Sequence, residues 1–233
     1  MTEDQWLRFR DLLRLLAHLR RGPKVSRTRG GRRKLRLFAC ACCRSMLWEM
    51  RVGKAFRQLV DLAEKHADGL VGRAALDKAR QQRRNRPAPT WGKLWFAAEA
   101  MEYTLHETPV TAARDAADYA LSAVSFTRHV LRAAIRPSDA KERAAVRQRQ
   151  CDLLRDIFGN PFRPVALDPA WRSSTVAALA EAIYADRAFD RLPILADALE
   201  DAGCTSAEVL EHCRQPGEHA RGCWVVDLVL GKS

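Results

Sequence analysis

The stretch Leu35-Arg-Leu-Phe-Ala-Cys-Ala-Cys-Cys-Arg-Ser-Met46 decides the class of fold. Its apolar residues recur at intervals of three and four, the spacing that lines one face of an α-helix. A very apolar helix is therefore predicted over residues 35–50. Its apolar face consists of Leu35, Phe38, Ala39, Cys42, Met46 and Met50.

The same helical periodicity continues through almost the whole chain, so an all-α fold of about ten helices is predicted, arranged as a bundle or an irregular array. A helix near residues 56–63 should end at Gly69, and a last one is favoured over 223–230. The other predicted helices cover about 4–20, 73–84, 91–106, 110–132, 138–158, 174–186, 192–201 and 205–214.

The strongest interruption is Gly159-Asn-Pro-Phe-Arg-Pro-Val-Ala-Leu-Asp-Pro169. Three prolines argue against both a helix and a central strand, so an extended surface connector is expected over 159–171. This connector divides an N-terminal helical region, 1–158, from a C-terminal helical region, 159–233, that packs on it within one structural unit. Thr205-Ser-Ala-Glu208 predicts a capping box and Asp190 a helix cap.

The charge of the protein is strongly asymmetric. The 233 residues carry a net charge of +12, yet residues 1–90 hold 23 Lys/Arg against 8 Asp/Glu, and the remainder holds 17 against 20. The excess is densest between residues 20 and 36, where Gly22, Pro23, Gly30 and Gly31 predict a loop rather than a helix. The basic residues of this stretch are Arg20, Arg21, Lys24, Arg27, Arg29, Arg32, Arg33, Lys34 and Arg36.

Such a basic loop is typical of an arm that contacts the phosphates of a nucleic acid or another polyanion. These nine residues are therefore the predicted polyanion-binding site. The stretch has no aromatic residue on which a base could stack. A solvated loop between two helices is the alternative, and both interpretations stay open.

The N-terminus lacks the pattern of a signal peptide, and no apolar run approaches the ~18–20 residues of a membrane span. We therefore expect a cytoplasmic protein without a membrane partner, in which the seven cysteines are thiols or metal ligands. Six of them form two groups: Cys40, Cys42 and Cys43, and Cys204, Cys213 and Cys223.

Zinc is the cofactor that these cysteines suggest, because it prefers about four Cys or His ligands. Cys40 and Cys43 share a helical face, and His219 and Cys223 have a spacing that suits one helical turn, so these four are the predicted ligands. His212 or Cys213 could join the C-terminal pair. The alternative is that the cysteines are small buried hydrophobic residues and no cofactor is bound.

Cysteine catalysis is the second chemistry to weigh. Cys223 follows Arg221 and Gly222 and has His219 one turn back, so it is the best nucleophile candidate. The His and Asn that follow the nucleophile in papain-like proteases are missing after it. We therefore predict no catalytic residue and expect a protein that is not an enzyme.

Four blocks of the chain resemble a large set of uncharacterised paralogues from planctomycete-type bacteria. They begin at Lys34, Leu153, Phe189 and Arg221, and the last reads Arg221-Gly-Cys-Trp-Val-Val-Asp-Leu-Val-Leu-Gly-Lys232. The resemblance covers roughly residues 1–20, 34–70 and 150–233, and it implies no activity. The arginine-rich segment is longer here than in that family.

Taken together, these patterns predict a non-enzymatic helical interaction or regulatory module. Its basic N-terminal half would bind an acidic partner, either a protein or a nucleic acid. The alternatives are a nucleic-acid-binding protein that uses the arginine-rich loop, and a zinc-stabilised or cysteine-reactive protein that uses the clustered Cys and His. The oligomeric state is left open by the sequence.

Overall fold

The computed structural model describes residues 1–22, 25, 27–50, 54–85, 93–125 and 137–232. Within these ranges the chain forms twelve α-helices and no strand, which confirms the all-α prediction. The first eight are α1 (Glu3–Arg8), α2 (Leu12–Arg21), α3 (Arg29–Met50), α4 (Lys54–Ala67), α5 (Arg73–Arg84), α6 (Lys93–Thr104), α7 (Pro109–Ser125) and α8 (Pro137–Phe158). The last four are α9 (Ser174–Asp186), α10 (Leu192–Asp201), α11 (Ala207–Arg214) and α12 (Trp224–Leu230).

Two boundaries near the N-terminus differ from the prediction. The single helix expected over 4–20 is divided into α1 and α2. Asp11 caps the N-terminus of α2, because its side chain accepts a hydrogen bond from the backbone N–H of Arg14. The expected loop over 20–36 was wrong in its second half, since α3 already begins at Arg29. Lys24 lies outside the described residues.

Gly31 shows why a glycine pair did not break this helix. A Cβ atom at residue 31 would lie 2.1 Å from the carbonyl oxygen of Val25, so only a glycine lets the preceding segment pass so close to α3. The glycine signals a close approach of two backbones rather than a turn.

Two caps also differ from the sequence prediction. The residue that precedes α11 is Ser206, not Thr205, and it makes no capping hydrogen bond to the backbone. Asp190 lies in a short 3-10 turn, Phe189–Arg191, and does not cap α10. Gly203 does take the left-handed conformation expected after a helix, with φ of 87°.

The described chain divides into two compact units. The first comprises Met1 and residues 8–152, and the second residues 2–7 and 153–233. In the first unit α3 packs against α4, α6 and α7, and α6 packs against α7. Small residues on α6 and α7, such as Ala97, Ala113 and Ala117, are fully buried and let these helices approach closely.

Polar side chains in the first unit reinforce this packing. Arg44 of α3 forms ion pairs with Asp61 and Glu64 of α4, and the Glu64 side chain is almost fully buried. Arg33 pairs with Asp68 at 2.9 Å, with both side chains buried. A buried charge needs such a partner, because its desolvation is otherwise uncompensated.

The second unit combines α1, the end of α8 and the four C-terminal helices. Trp6 of α1 is fully buried, its indole N–H donates to the carbonyl of Gly159, and its own carbonyl accepts from Arg155. Residues 159–168 contain neither helix nor strand, as the prolines predict: a turn closed by the hydrogen bond from the N–H of Arg163 to the carbonyl of Asn160 is followed by residues 164–168 and a 3-10 turn, Pro169–Trp171. None of the described helices is both long and apolar enough to cross a membrane.

Arg36 is the clearest case of a basic residue with a structural role. It is only 3% exposed, and its guanidinium donates to the carbonyls of Thr104, His106 and Glu107 at and after the C-terminus of α6. A cation at this end of a helix is favoured by the helix dipole and pairs carbonyls that have no partner in the helix.

We predict that Arg36→Met lowers the free energy of unfolding by about 2–4 kcal/mol, since buried carbonyls lose their donor. Arg32→Met, at an exposed position of the same helix, should change stability by less than about 0.5 kcal/mol. Urea unfolding measures the free energy of unfolding of both variants. Equal losses in the two variants would contradict the proposed stabilising role of the hydrogen bonds from Arg36.

Candidate metal centre

Four side chains of metal-binding type converge in the second unit. One ligand atom from each of Asp156, His212, His219 and Cys223 lies within 4.8 Å of all the others. Three of these residues are buried and His219 is half-buried. Within the described residues this is the one group of its kind.

Local structure explains how each side chain reaches this point. Asp156 lies in the last turn of α8, where the neighbouring Leu153 and Ile157 are buried and carry the carboxylate inward with them. His212 lies in the last turn of α11. Gly222, with φ of 97°, turns the chain so that Cys223 stands at the start of α12.

The Asp156 carboxylate is the centre of the cluster. Its Oδ1 atom is 3.1 Å from His212 Nε2 and 2.6 Å from His219 Nδ1. Its Oδ2 atom accepts a hydrogen bond from the backbone N–H of Ala220 at 2.9 Å. His212 Nε2 is in turn 3.2 Å from the Sγ atom of Cys223.

These separations resemble the edges of a zinc coordination tetrahedron. With Zn–S of about 2.3 Å and Zn–N and Zn–O of about 2.0–2.2 Å, neighbouring ligand atoms stand about 3.3–3.6 Å apart. Three of the six separations between the ligand atoms, at 2.6–3.2 Å, are shorter than these edges, and none of the six exceeds 4.8 Å.

The electrostatics of the cluster favour a negative Asp156 with positive charge beside it. Burial alone would raise the pKa of this carboxyl, but hydrogen bonds from His212 and His219 outweigh burial and lower it below its ordinary value. Burial acts to lower the pKa of His219, yet the hydrogen bond to Asp156 and its charge raise it above the ordinary value. The negative charge of Asp156 therefore attracts positive charge to this point of the unit.

Cys223 does not have the surroundings of a nucleophile. It is fully buried, and burial together with the nearby Asp156 raises the pKa of its thiol well above the ordinary value. The thiol and the Asp156 carboxylate also face the same nitrogen of His212. In a catalytic triad the acid and the nucleophile occupy opposite nitrogens of the histidine, so this arrangement suits convergence on an ion better than proton transfer.

A second layer of contacts orients the histidines. His212 Nδ1 lies 3.1 Å from the side-chain amide of Gln215, and the backbone of Gln215 also contributes to the raised pKa of His219. The His212 ring packs against Trp224, with ring centroids 5.1 Å apart. Outer contacts of this kind fix the ring orientation of metal-binding histidines.

The structure brings together only part of the predicted ligand set. His219 and Cys223 are in the cluster, whereas Cys40 and Cys43 belong to the first unit and are fully buried among its apolar residues. Burial is the largest influence on both thiols and raises the pKa of each. They correspond to the alternative of cysteines as small core residues.

Asp156 was missed by sequence reasoning, and His212 was considered without being placed in the set. The available signal for Asp156 was a carboxylate on an apolar helix face just before a helix end, next to Leu153-Leu154 and Ile157. A carboxylate at a helix C-terminus is disfavoured by the helix dipole, so this pattern predicts a compensating positive charge beside Asp156.

The basic residues of the predicted polyanion site differ in their exposure to solvent. Arg33 and Arg36 are buried and bound to protein groups, so they are not available to a polyanion, and Lys34 is half-buried. The remaining described members are exposed: Arg20, Arg21, Arg27, Arg29 and Arg32.

No protein-family model matches this chain, and neither the curated proteins nor the solved structures contain a significant match.

Gly159 permits the contact that supports the cluster from the α8 side. Its φ is 67°, and a Cβ atom there would lie 3.2 Å from Cγ of Trp224. We predict that Gly159→Ala destabilises the second unit by more than the ~1–2 kcal/mol of left-handed strain alone. Thermal unfolding measures this effect.

Gly203→Ala is the matched control, because Gly203 has φ of 87° but open space around its Cα atom. Gly203→Ala should lower the free energy of unfolding by the cost of the left-handed backbone conformation alone, because its Cβ atom meets no neighbouring atom. If the two substitutions cost the same, the Trp224 contact is not a constraint on residue 159.

Proposed function

We propose that the protein is a non-enzymatic helical module whose C-terminal unit is stabilised by one zinc ion bound to Asp156, His212, His219 and Cys223. The observation that carries this proposal is the convergence of these four ligand atoms within 4.8 Å in a buried site. Thiolate and imidazole ligands in a tetrahedral array are the combination that zinc prefers.

The closed character of the site supports a structural rather than a catalytic ion. Catalytic zinc sites keep one position open for water or substrate, whereas structural sites use four protein ligands. Here four protein ligands are present, and the side chains of Asp156, His212 and His219 are less than a tenth exposed. Little room is left for a substrate.

The ion would join segments that are distant in sequence. Asp156 lies in the last turn of α8, His212 lies in the last turn of α11, His219 lies in the loop between α11 and α12, and Cys223 immediately precedes α12. The α11 and α12 helices have only eight and seven residues. Helices so short depend on tertiary contacts, and a metal that binds only the folded form adds to their stability.

The test is native mass spectrometry of tag-free protein produced with zinc, before and after chelation. We expect one zinc per chain, and we expect chelation to lower the thermal midpoint. At a free zinc concentration 100-fold above the dissociation constant, the ion stabilises the fold by about 2.7 kcal/mol. Cobalt in place of zinc should give tetrahedral d–d bands and a thiolate charge-transfer band.

Ligand variants locate the ion. Asp156→Asn, His219→Ala and Cys223→Ser should lower the bound zinc, and Cys223→Ser should remove the thiolate band. Cys43→Ala and Cys151→Ala are matched controls at buried cysteines outside the cluster and should retain one zinc. A metal-free mass in every preparation, or zinc that is lost only in Cys43→Ala, contradicts the proposal.

Gln215 gives a more selective prediction. Gln215→Ala removes the contact to His212 Nδ1 but no ligand. Loss of such an outer contact weakens metal binding by about 10–100-fold. Competition with a chromogenic zinc chelator measures this change, and Gln148→Ala is the control, because its half-buried side-chain amide pairs with Asp152 of α8 outside the cluster. An unchanged affinity would mean that Gln215 does not orient the ring.

A second function is favoured by the charge of the first unit. We infer that this unit binds an acidic partner, supported by the five arginines that stay exposed at and between α2 and the start of α3. Residues 1–90 as a whole carry far more basic than acidic side chains. Fields of this kind attract anionic partners and speed their association.

Salt dependence tests the second function. If all five exposed arginines contacted phosphates of duplex DNA, log K would fall with log salt at a slope of about −4.5. The triple variant Arg27→Gln, Arg29→Gln and Arg32→Gln should reduce this slope to about −1.8. Binding of anionic probes that is indifferent to salt and to this variant would exclude electrostatic recognition by these residues.

A further inference from the structure

An apolar pocket in the first unit lies beside the exposed arginines. It has a volume of about 180 Å³ and opens to solvent between α2, α3 and α7. One stripe of α2 supplies half of its wall, at spacings of three and four residues. The lining residues are Leu13, Leu16, Ala17, Arg20, Val25, Leu35, Val110 and Arg114.

Charge on the wall of this pocket is of one sign. Arg20 and Arg114 are both exposed, and the lining contains no acidic residue. Asp115 pairs with Arg114 through Nε of the guanidinium. An occupant with an apolar group and adjacent carboxylates would match this surface, because guanidinium groups bind carboxylates in a fixed fork geometry.

The volume limits the apolar group to a single side chain. A cavity of about 150 Å³ lined by apolar residues holds one benzene molecule. Pockets for drug-sized ligands are larger, at about 300–1,000 Å³. Leu13 at the wall is 63% exposed and adds apolar surface for a partner to cover.

We propose that this pocket takes one bulky apolar side chain of an acidic peptide segment, with Arg20 and Arg114 pairing with the flanking carboxylates. The proposal rests on the acidic-partner function above and specifies its partner as a protein. Recognition by a buried apolar anchor within a charged rim is the usual arrangement of a peptide-binding hot spot. Phosphate contacts of a nucleic acid would leave the apolar pocket without a use.

The experiment uses the full chain and a synthetic array of nine-residue peptides, each with one central residue and four identical residues on either side. The central residue is Ala, Leu, Phe or Trp, and the flanks are four Glu, four Gln or four Lys. We expect the tightest binding for Glu flanks with Leu or Phe at the centre. Central Ala should bind at least tenfold more weakly, and Lys flanks should not bind.

Protein variants locate the binding on the pocket. Ala17→Phe fills the pocket, and Leu13→Gln changes its exposed wall with little risk to folding; each should weaken the best peptide about tenfold. Arg20→Glu with Arg114→Glu should abolish its binding. The control Lys78→Glu with Lys141→Glu makes the same change in net charge at exposed positions away from the pocket and should have a much smaller effect.

The possible outcomes distinguish failure of the pocket proposal from failure of the acidic-partner function. Binding that needs Glu flanks but ignores the central residue and Ala17→Phe overturns the pocket proposal and keeps the acidic-partner function. Failure of every peptide, with duplex DNA bound, assigns the arginines to nucleic acid and overturns the proposal. Failure of peptides and DNA alike overturns both the pocket proposal and the acidic-partner function.

Discussion

The buried carboxylate of Asp156 is the constraint on which the C-terminal unit depends. It lies in the last turn of α8, where the negative end of the helix dipole opposes a further negative charge. Burial without compensation would neutralise such a group. The protein instead surrounds it with His212, His219 and the N–H of Ala220, and these contacts hold its pKa below the ordinary value.

The same contacts explain why an ion suits this site better than hydrogen bonds alone. His212 Nε2 faces both Asp156 and Cys223, yet a neutral imidazole nitrogen carries at most one hydrogen. One hydrogen cannot satisfy two partners fully. A divalent cation between the four atoms, as proposed here, would bind all of them at once and would favour the thiolate of Cys223, against the burial that raises the pKa of this thiol.

Helical periodicity predicted most of the fold because burial in this chain follows helix faces. Helices α5, α9 and α10 have the predicted bounds, whereas the Asp11 cap divides the first predicted helix and the close approach at Gly31 accompanies the early start of α3. The ligand set of the candidate metal site was harder to predict from the sequence, because Asp156 and His212 are 56 residues apart in the chain. Cys40 and Cys43 have the spacing of a ligand pair but lie on the buried face of a core helix, and spacing alone does not separate these two roles.

The basic segment shows the same limit for charge patterns. Once α3 begins at Arg29, helical geometry turns Arg29 and Arg32 to the surface and Arg33 and Arg36 into the protein. Counting arginines therefore overestimates the charge that a partner meets. The exposed arginines near α2 lie beside an apolar pocket, and this combination supports the proposed protein partner: a phosphate backbone attracts arginines of either arrangement, whereas an apolar peptide side chain also gains from leaving water for the pocket.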